Sequence, residues 1–145
     1  MFSKSLLKII LISSFITGVI FSIFTLIPPL IWIIFILLMF CVSPFIIIYL
    51  KKLNLIKNIE IEQCLAIGAL SGAASFIGFS VVFFPSAFVL HLIFNTQSYI
   101  WIKVLLQNIG FIVPMILFIA LLSALLNMFS GFLTAYFYQY INTNK

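Results

Sequence analysis

The residues that could do chemistry are few and scattered. Glu60 and Glu62 are the only acids in 145 residues, and His91 is the only histidine. A carboxylate pair can hold a divalent cation or divide acid and base roles between its members. Here the pair has no Asp or His near it in sequence and stands just before an apolar run. Acids in that position suit the positive end of a helix, worth about 0.3 kcal/mol each. A serine nucleophile needs a base in reach. The segment "GALSG", residues 68–72, is not a G-x-S-x-G elbow, and His91 is expected near the outer surface. Haem held by two histidines is excluded by the count.

Cys41 and Cys64 form no C-x-x-C pair, which removes the redox and zinc readings. Cys41 lies nine residues from the end of its apolar run, about 13 Å along a helix, and Cys64 lies near the end of the next. That difference in depth predicts two free thiols. The chain is expected to have no catalytic residue, no metal site, no cofactor and no enzymatic activity.

The groups that remain are hydrogen-bonding ones, and they need a frame. Apolar residues make up 66% of the chain and charged ones 6%, with a mean hydropathy of +1.40. A soluble domain carries about 25% charged residues. Too little polar surface exists here to face water, so lipid must surround the chain. The net charge of +5 comes from seven Lys and no Arg. They form no stripe with interleaved aromatics, so no nucleic-acid partner is expected. They flank the apolar runs instead.

The patterning predicts an all-α polytopic membrane protein with four transmembrane helices, a single domain over residues 1–145. The spans fall at about 9–27, 30–50, 62–84 and 111–138. The first run is too long for a signal-peptide core and no cleavage site follows it, so it reads as a retained span. Pro28 and Pro29 end it and open the second, making a tight hairpin. Pro44 should kink the second span, with Ser43 helping to satisfy the freed backbone. Pro85 should end the third. Residues 86–110, with Asn95, Thr96, Gln97 and Ser98 as a turn, read as an interfacial or re-entrant segment between the third and fourth spans.

Orientation follows from the lysines. With the N-terminus in the cytoplasm and four spans, Lys4, Lys8, Lys51, Lys52, Lys57 and Lys145 are inside and only Lys103 is outside. Trp32 and Trp101 then lie at the outer interface, and Tyr49, Tyr136, Tyr138 and Tyr140 at the inner one. The expected location is the inner cell membrane, multi-pass, with both termini cytoplasmic.

Small residues mark the expected helix contacts. In "GALSGAASFIG", residues 68–78, eight of eleven are Gly, Ala or Ser. Gly68 and Gly72 form a G-x-x-x-G pair, and Gly78 continues the small surface. Ser14, Gly18 and Ser22 are spaced by four on the first span. Ser123, Asn127, Gly131 and Ala135 are so spaced on the fourth. Water expulsion does not drive contact between lipid-solvated helices; close backbone approach and polar groups do. The third span is therefore expected at the centre, clasped by the first and fourth, with the second at the lipid-facing edge. An oligomer face or the wall of a solute cavity are the alternative uses of these residues. Asn127, near the middle of the fourth span, is expected to bond to another helix; a ligand contact is its alternative.

The function expected is non-catalytic packing against the same chain or a larger membrane partner within the bilayer. The alternative is a transport component for a neutral or lipophilic solute, with its path between the third and fourth spans.

Overall fold

The computed structural model describes residues 3–56, 60–94 and 108–143. Every regular element among them is helical, and there is no strand. Helix α1 is Lys4–Phe24, and a short 3₁₀ turn at Pro28–Leu30 leads into α2, Ile31–Phe40. Cys41 separates α2 from α3, Val42–Lys52. Helix α4 is Ile61–Phe94 and α5 is Ile109–Thr143. Three helices, α1, α4 and α5, are long and apolar enough to cross a membrane; α2 and α3 add a fourth if the pair counts as one span, bent by 55°.

Local chemistry sets the ends. Ser3 caps α1 by accepting from the Leu6 N–H. Helix α3 stops in a Schellman turn. The Leu55 N–H reaches the Leu50 carbonyl, the Asn54 N–H reaches the Lys51 carbonyl, and Asn54 takes φ 56°. At the start of α4 the Glu60 carbonyl accepts from the Cys64 N–H, and its carboxylate accepts from Gln63 Nε2 at 2.9 Å.

Pro85 does not end the third span. It stands within α4, which continues to Phe94. The missing N–H removes the bond to the Val81 carbonyl. Pro85 and Val81 both lie on an exposed side of the helix, while Phe83 and Ala87 opposite stay buried. The lost bond therefore falls away from the core. Residues 86–94 of the expected interfacial or re-entrant segment thus belong to the same helix as the span; residues 95–107 lie outside the described residues.

Helix α4 packs chiefly against α5 and α1. Gly131 meets Cys64, Gly68 meets Asn127 and Gly72 meets Ser123, so each turn up α4 matches a turn down α5. The two are antiparallel. Ser3 and Leu6 share a cleft with Gln63 and Ala66, and Gly18 meets Ser75, so α1 runs parallel to α4. Two buried clusters result. One gathers Ile10, Val42, Ile46, Ile47, Leu50, Ile67 and Ala135. The other joins Leu38 and Met39 to Phe76, Phe79, Phe83, Ala87 and Ala120. Phe79 and Phe83 stack there at 4.9 Å.

The second span is not confined to the edge. Trp32, Ile33 and Ile36 of α2 are exposed, but α3 buries Val42, Ser43, Ile46, Ile47 and Leu50. Beyond the bend, α3 packs against α4 and α5.

Small polar side chains are buried among these apolar clusters, and large apolar side chains face outward. Ser14, Ser22, Thr25, Ser43, Ser71, Ser75, Ser80, Ser123 and Asn127 are buried, while Phe45, Phe111, Phe118, Leu121 and Phe129 are exposed. Many of the hydroxyls bond to their own helix. Ser71 donates to the Gly68 carbonyl and Ser75 to that of Gly72, both at 3.1 Å, so they add no outward demand.

The glycine contacts involve backbone, which cannot rotate away. A Cβ at Gly72 would stand 2.5 Å from the Ser123 carbonyl oxygen, and one at Gly110 would meet nothing within 4 Å. Gly72→Leu should therefore lower stability by about 3 kcal/mol, read as thermal unfolding in detergent. Gly110→Leu should leave it unchanged or slightly raised. Equal behaviour of the two variants would refute the contact.

Candidate functional site

The break between α2 and α3 organises the most polar junction of the fold. Pro44 carries no N–H, so the Phe40 carbonyl loses its helical donor. In an unbroken helix the Ser43 N–H would bond directly to the Met39 carbonyl. Here the Asn127 side chain stands between them. Its Oδ1 accepts from the Ser43 N–H at 3.0 Å. Its Nδ2 donates to the Met39 carbonyl at 2.8 Å and the Leu38 carbonyl at 3.0 Å. The amide is thus spliced into the ladder of another helix like one additional peptide unit. Nδ2 also meets the Ser123 carbonyl at 3.1 Å, one turn back on α5. The pattern fixes which way the amide points, because a flipped group would set Oδ1 against the carbonyls.

Elements on three sides position this amide. Helix α5 supplies it from a fully buried site. Helix α4 makes room for it, since a Cβ on Gly72 would stand 2.9 Å from Asn127 Cβ. Ser123 ties the same two helices by donating its hydroxyl to the Gly72 carbonyl at 3.1 Å. Below Asn127, Gly131 lies between the Cys64 carbonyl of α4 and Ser43 Oγ of α3; its Cβ would stand 2.5 and 2.7 Å from them. Gly68, Gly72, Asn127 and Gly131 therefore meet in one place, where α2, α3, α4 and α5 join.

The other expected residues form a second junction. A Cβ on Gly18 would run into the Ser75 carbonyl oxygen, and one on Gly78 would stand 2.5 Å from the Phe15 carbonyl oxygen. Ser14 and Ser22 are buried on the same helix as Gly18. The two junctions use different faces of α4.

Two expectations need correcting. The Ser43 hydroxyl does not relieve the break. It has no hydrogen-bond partner among the described residues, like those of Ser14 and Ser80. Its backbone N–H is what takes part, through Asn127. The two thiols are free, but a difference in depth is not the reason. Gly131 touches both Cys64 and Ser43, so the break and Cys64 sit at similar heights.

Glu60 and Glu62 line an open cleft of about 420 Å³ with Ser3, Leu6, Leu55, Ile56, Gln63 and Ala66. Glu60 is engaged by Gln63, as above. No three His, Cys, Asp or Glu side chains come together among the described residues. His91 falls in the closing turns of α4. The arrangement at Asn127 holds α2 and α3 to α5 through backbone groups.

Single interhelical hydrogen bonds between spans average about 0.6 kcal/mol, so the three that Asn127 makes to α2 and α3 contribute roughly 2 kcal/mol together. Asn127→Leu should lose about that much, measured by unfolding in detergent. Pro44→Ala restores an N–H and lets the second span straighten, so the Asn127→Leu penalty should shrink in that background. Strictly additive effects would show that the amide does not serve the break.

Compared with protein-family models, with curated proteins and with solved structures, the chain matches none of them.

Proposed function

We propose that this chain crosses the inner cell membrane four times, with both termini in the cytoplasm, and acts without catalysis as a helix-packing or assembly component. The observation that carries the reading is how the polar and small residues are used. The buried amide and the five interior glycines, Gly18, Gly68, Gly72, Gly78 and Gly131, sit against backbone or side chains of neighbouring helices. Among the described residues, the buried polar side chains are serines, one threonine and Asn127.

The direction of α2 and α3 supports four crossings. Met39 meets Asn127, Ser43 meets Gly131, and Lys51 meets Tyr138. The broken helix keeps advancing alongside α5 through the bend; a re-entrant loop would turn back.

The glycine seam also bears on the alternative of a transport component for a neutral or lipophilic solute. Gly68 and Gly72 lie directly against the α5 backbone, which leaves no gap along that line between the third and fourth spans. Packing against a second copy or a larger membrane protein is the better supported role. With two faces of α4 occupied internally, Ile77, Val81 and Pro85 are the side left for a partner.

Purification in mild detergent tests the role. A defined oligomer or one stable membrane partner is the expected result. A solitary monomer that releases a bound small molecule would overturn it in favour of transport. Orientation is tested separately by Lys52→Cys after Cys41 and Cys64 are replaced by Ala. A membrane-impermeant maleimide should label it only after the cells are opened, and labelling of intact cells would invert the topology.

A further inference from the structure

The described lysines gather at one end of the bundle. Lys4 and Lys8 lie in the opening turns of α1, and Lys51 and Lys52 close α3. The cleft lined by Ser3, Leu6, Leu55, Gln63 and the two acids Glu60 and Glu62 joins the start of α1 to the chain leaving α3 and to the start of α4, so the four lysines at this end outnumber its two carboxylates. None of these lysines forms an ion pair among the described residues. Lys51 is held nonetheless. Its Nζ stands 3.2 Å from the centroid of the Tyr138 ring, a cation over an aromatic face. Tyr49, Tyr136 and Tyr140 nearby in sequence are exposed. Tyrosines of this kind collect at the headgroup level of a bilayer.

We propose that this end of the bundle binds an anionic phospholipid, with Lys51, fixed over the Tyr138 ring, as the cation that meets the phosphodiester. The ring contact neutralises no charge and leaves donors of the ammonium free for an acceptor. It also restrains a side chain that would otherwise lose freedom on binding. Lys52, exposed beside it, and the two lysines of α1 add attraction to a negative surface. Apolar α3 residues such as Ile48 and Phe45, exposed on the same helix, lie where acyl chains would run. The inference rests on the chain being embedded in the bilayer.

Native mass spectrometry of the full chain in detergent tests it, with phosphatidylglycerol titrated against phosphatidylcholine of the same acyl chains. Phosphatidylglycerol should bind preferentially. Lys51→Gln should weaken it about five-fold, the share of one interfacial lysine. Lys51→Arg should retain it. Tyr138→Leu, which keeps the charge but removes its support, should weaken it as well, and it serves if Lys51→Gln does not fold. Glycerol 3-phosphate should not compete at matched concentration; equal competition would assign the site to a soluble phosphate and overturn the lipid reading. Equal binding of the two lipids, or unchanged affinity in both variants, would also overturn it. Failure of the embedding itself looks different, as a chain that stays dispersed without any detergent.

Discussion

A buried peptide group must have a partner, and where water is absent only the protein can provide one. That constraint explains the shape of the second span and the position of Asn127 together. Pro44 removes one donor from a helix that has few polar neighbours. The chain bends at Cys41, and the displaced Ser43 N–H and Met39 carbonyl are rejoined through a side-chain amide from α5. Asparagine is suited to this because one short group both accepts and donates. Leucine of similar size could fill the space but would leave a donor and two acceptors bare. A carboxylate could accept from Ser43 but would face the carbonyls of Leu38 and Met39 with no proton to offer.

The amide reaches its target because the helices stand unusually close. Gly72 has no side chain to push α5 away, and Gly131 has none to push away α3 or α4. Close approach and polar bonding are therefore one arrangement. The glycines bring the backbones together, and Asn127 and Ser123 exploit the short distance. At the crossing of α1 and α4, Gly18 and Gly78 meet backbone carbonyls in the same manner, though no side-chain amide lies there. Ser14 and Ser80 carry buried hydroxyls without partners among the described residues. That side of α4 relies on contact more than on hydrogen bonds.

Much of the helical framework is legible in the sequence, for identifiable reasons. Runs such as Ile9 to Ile27 and Leu30 to Leu50 announce helices because apolar length is what a bilayer requires. Rows of Gly and Ser at four-residue spacing announce close contacts, and those rows face neighbouring helices here. The proline positions are less legible. Pro44 and Pro85 both remove a donor, yet one breaks a helix and the other does not. Both lose a bond to the carbonyl of an exposed residue, Val81 and Phe40, so exposure of the lost bond does not separate them. Beside Pro44 the Ser43 N–H and the Met39 carbonyl are taken up by a side chain of another helix, and such a partner cannot be assigned until the neighbours are placed. The same limit applies to Asn127. Its need for a partner is plain from its type and position, whereas the partner is backbone, and backbone partners leave no signature in residue identity.

The consequence for function lies in what the interior has left over. A membrane protein that moves ions or protons keeps ionisable groups among its spans, whereas the buried polar groups described here are hydroxyls and one amide. The amide uses both its donor and acceptor capacity on α2, α3 and its own helix. The glycines that could have formed a cavity wall carry neighbouring backbone against them. At these two junctions the contacts leave no open centre. A role that needs a firm apolar body held at a set depth by lysines and tyrosines would use them as they stand. Selection for such a body would act on Gly72, Gly131, Asn127 and Pro44 as a set, since each makes sense only in the presence of the others.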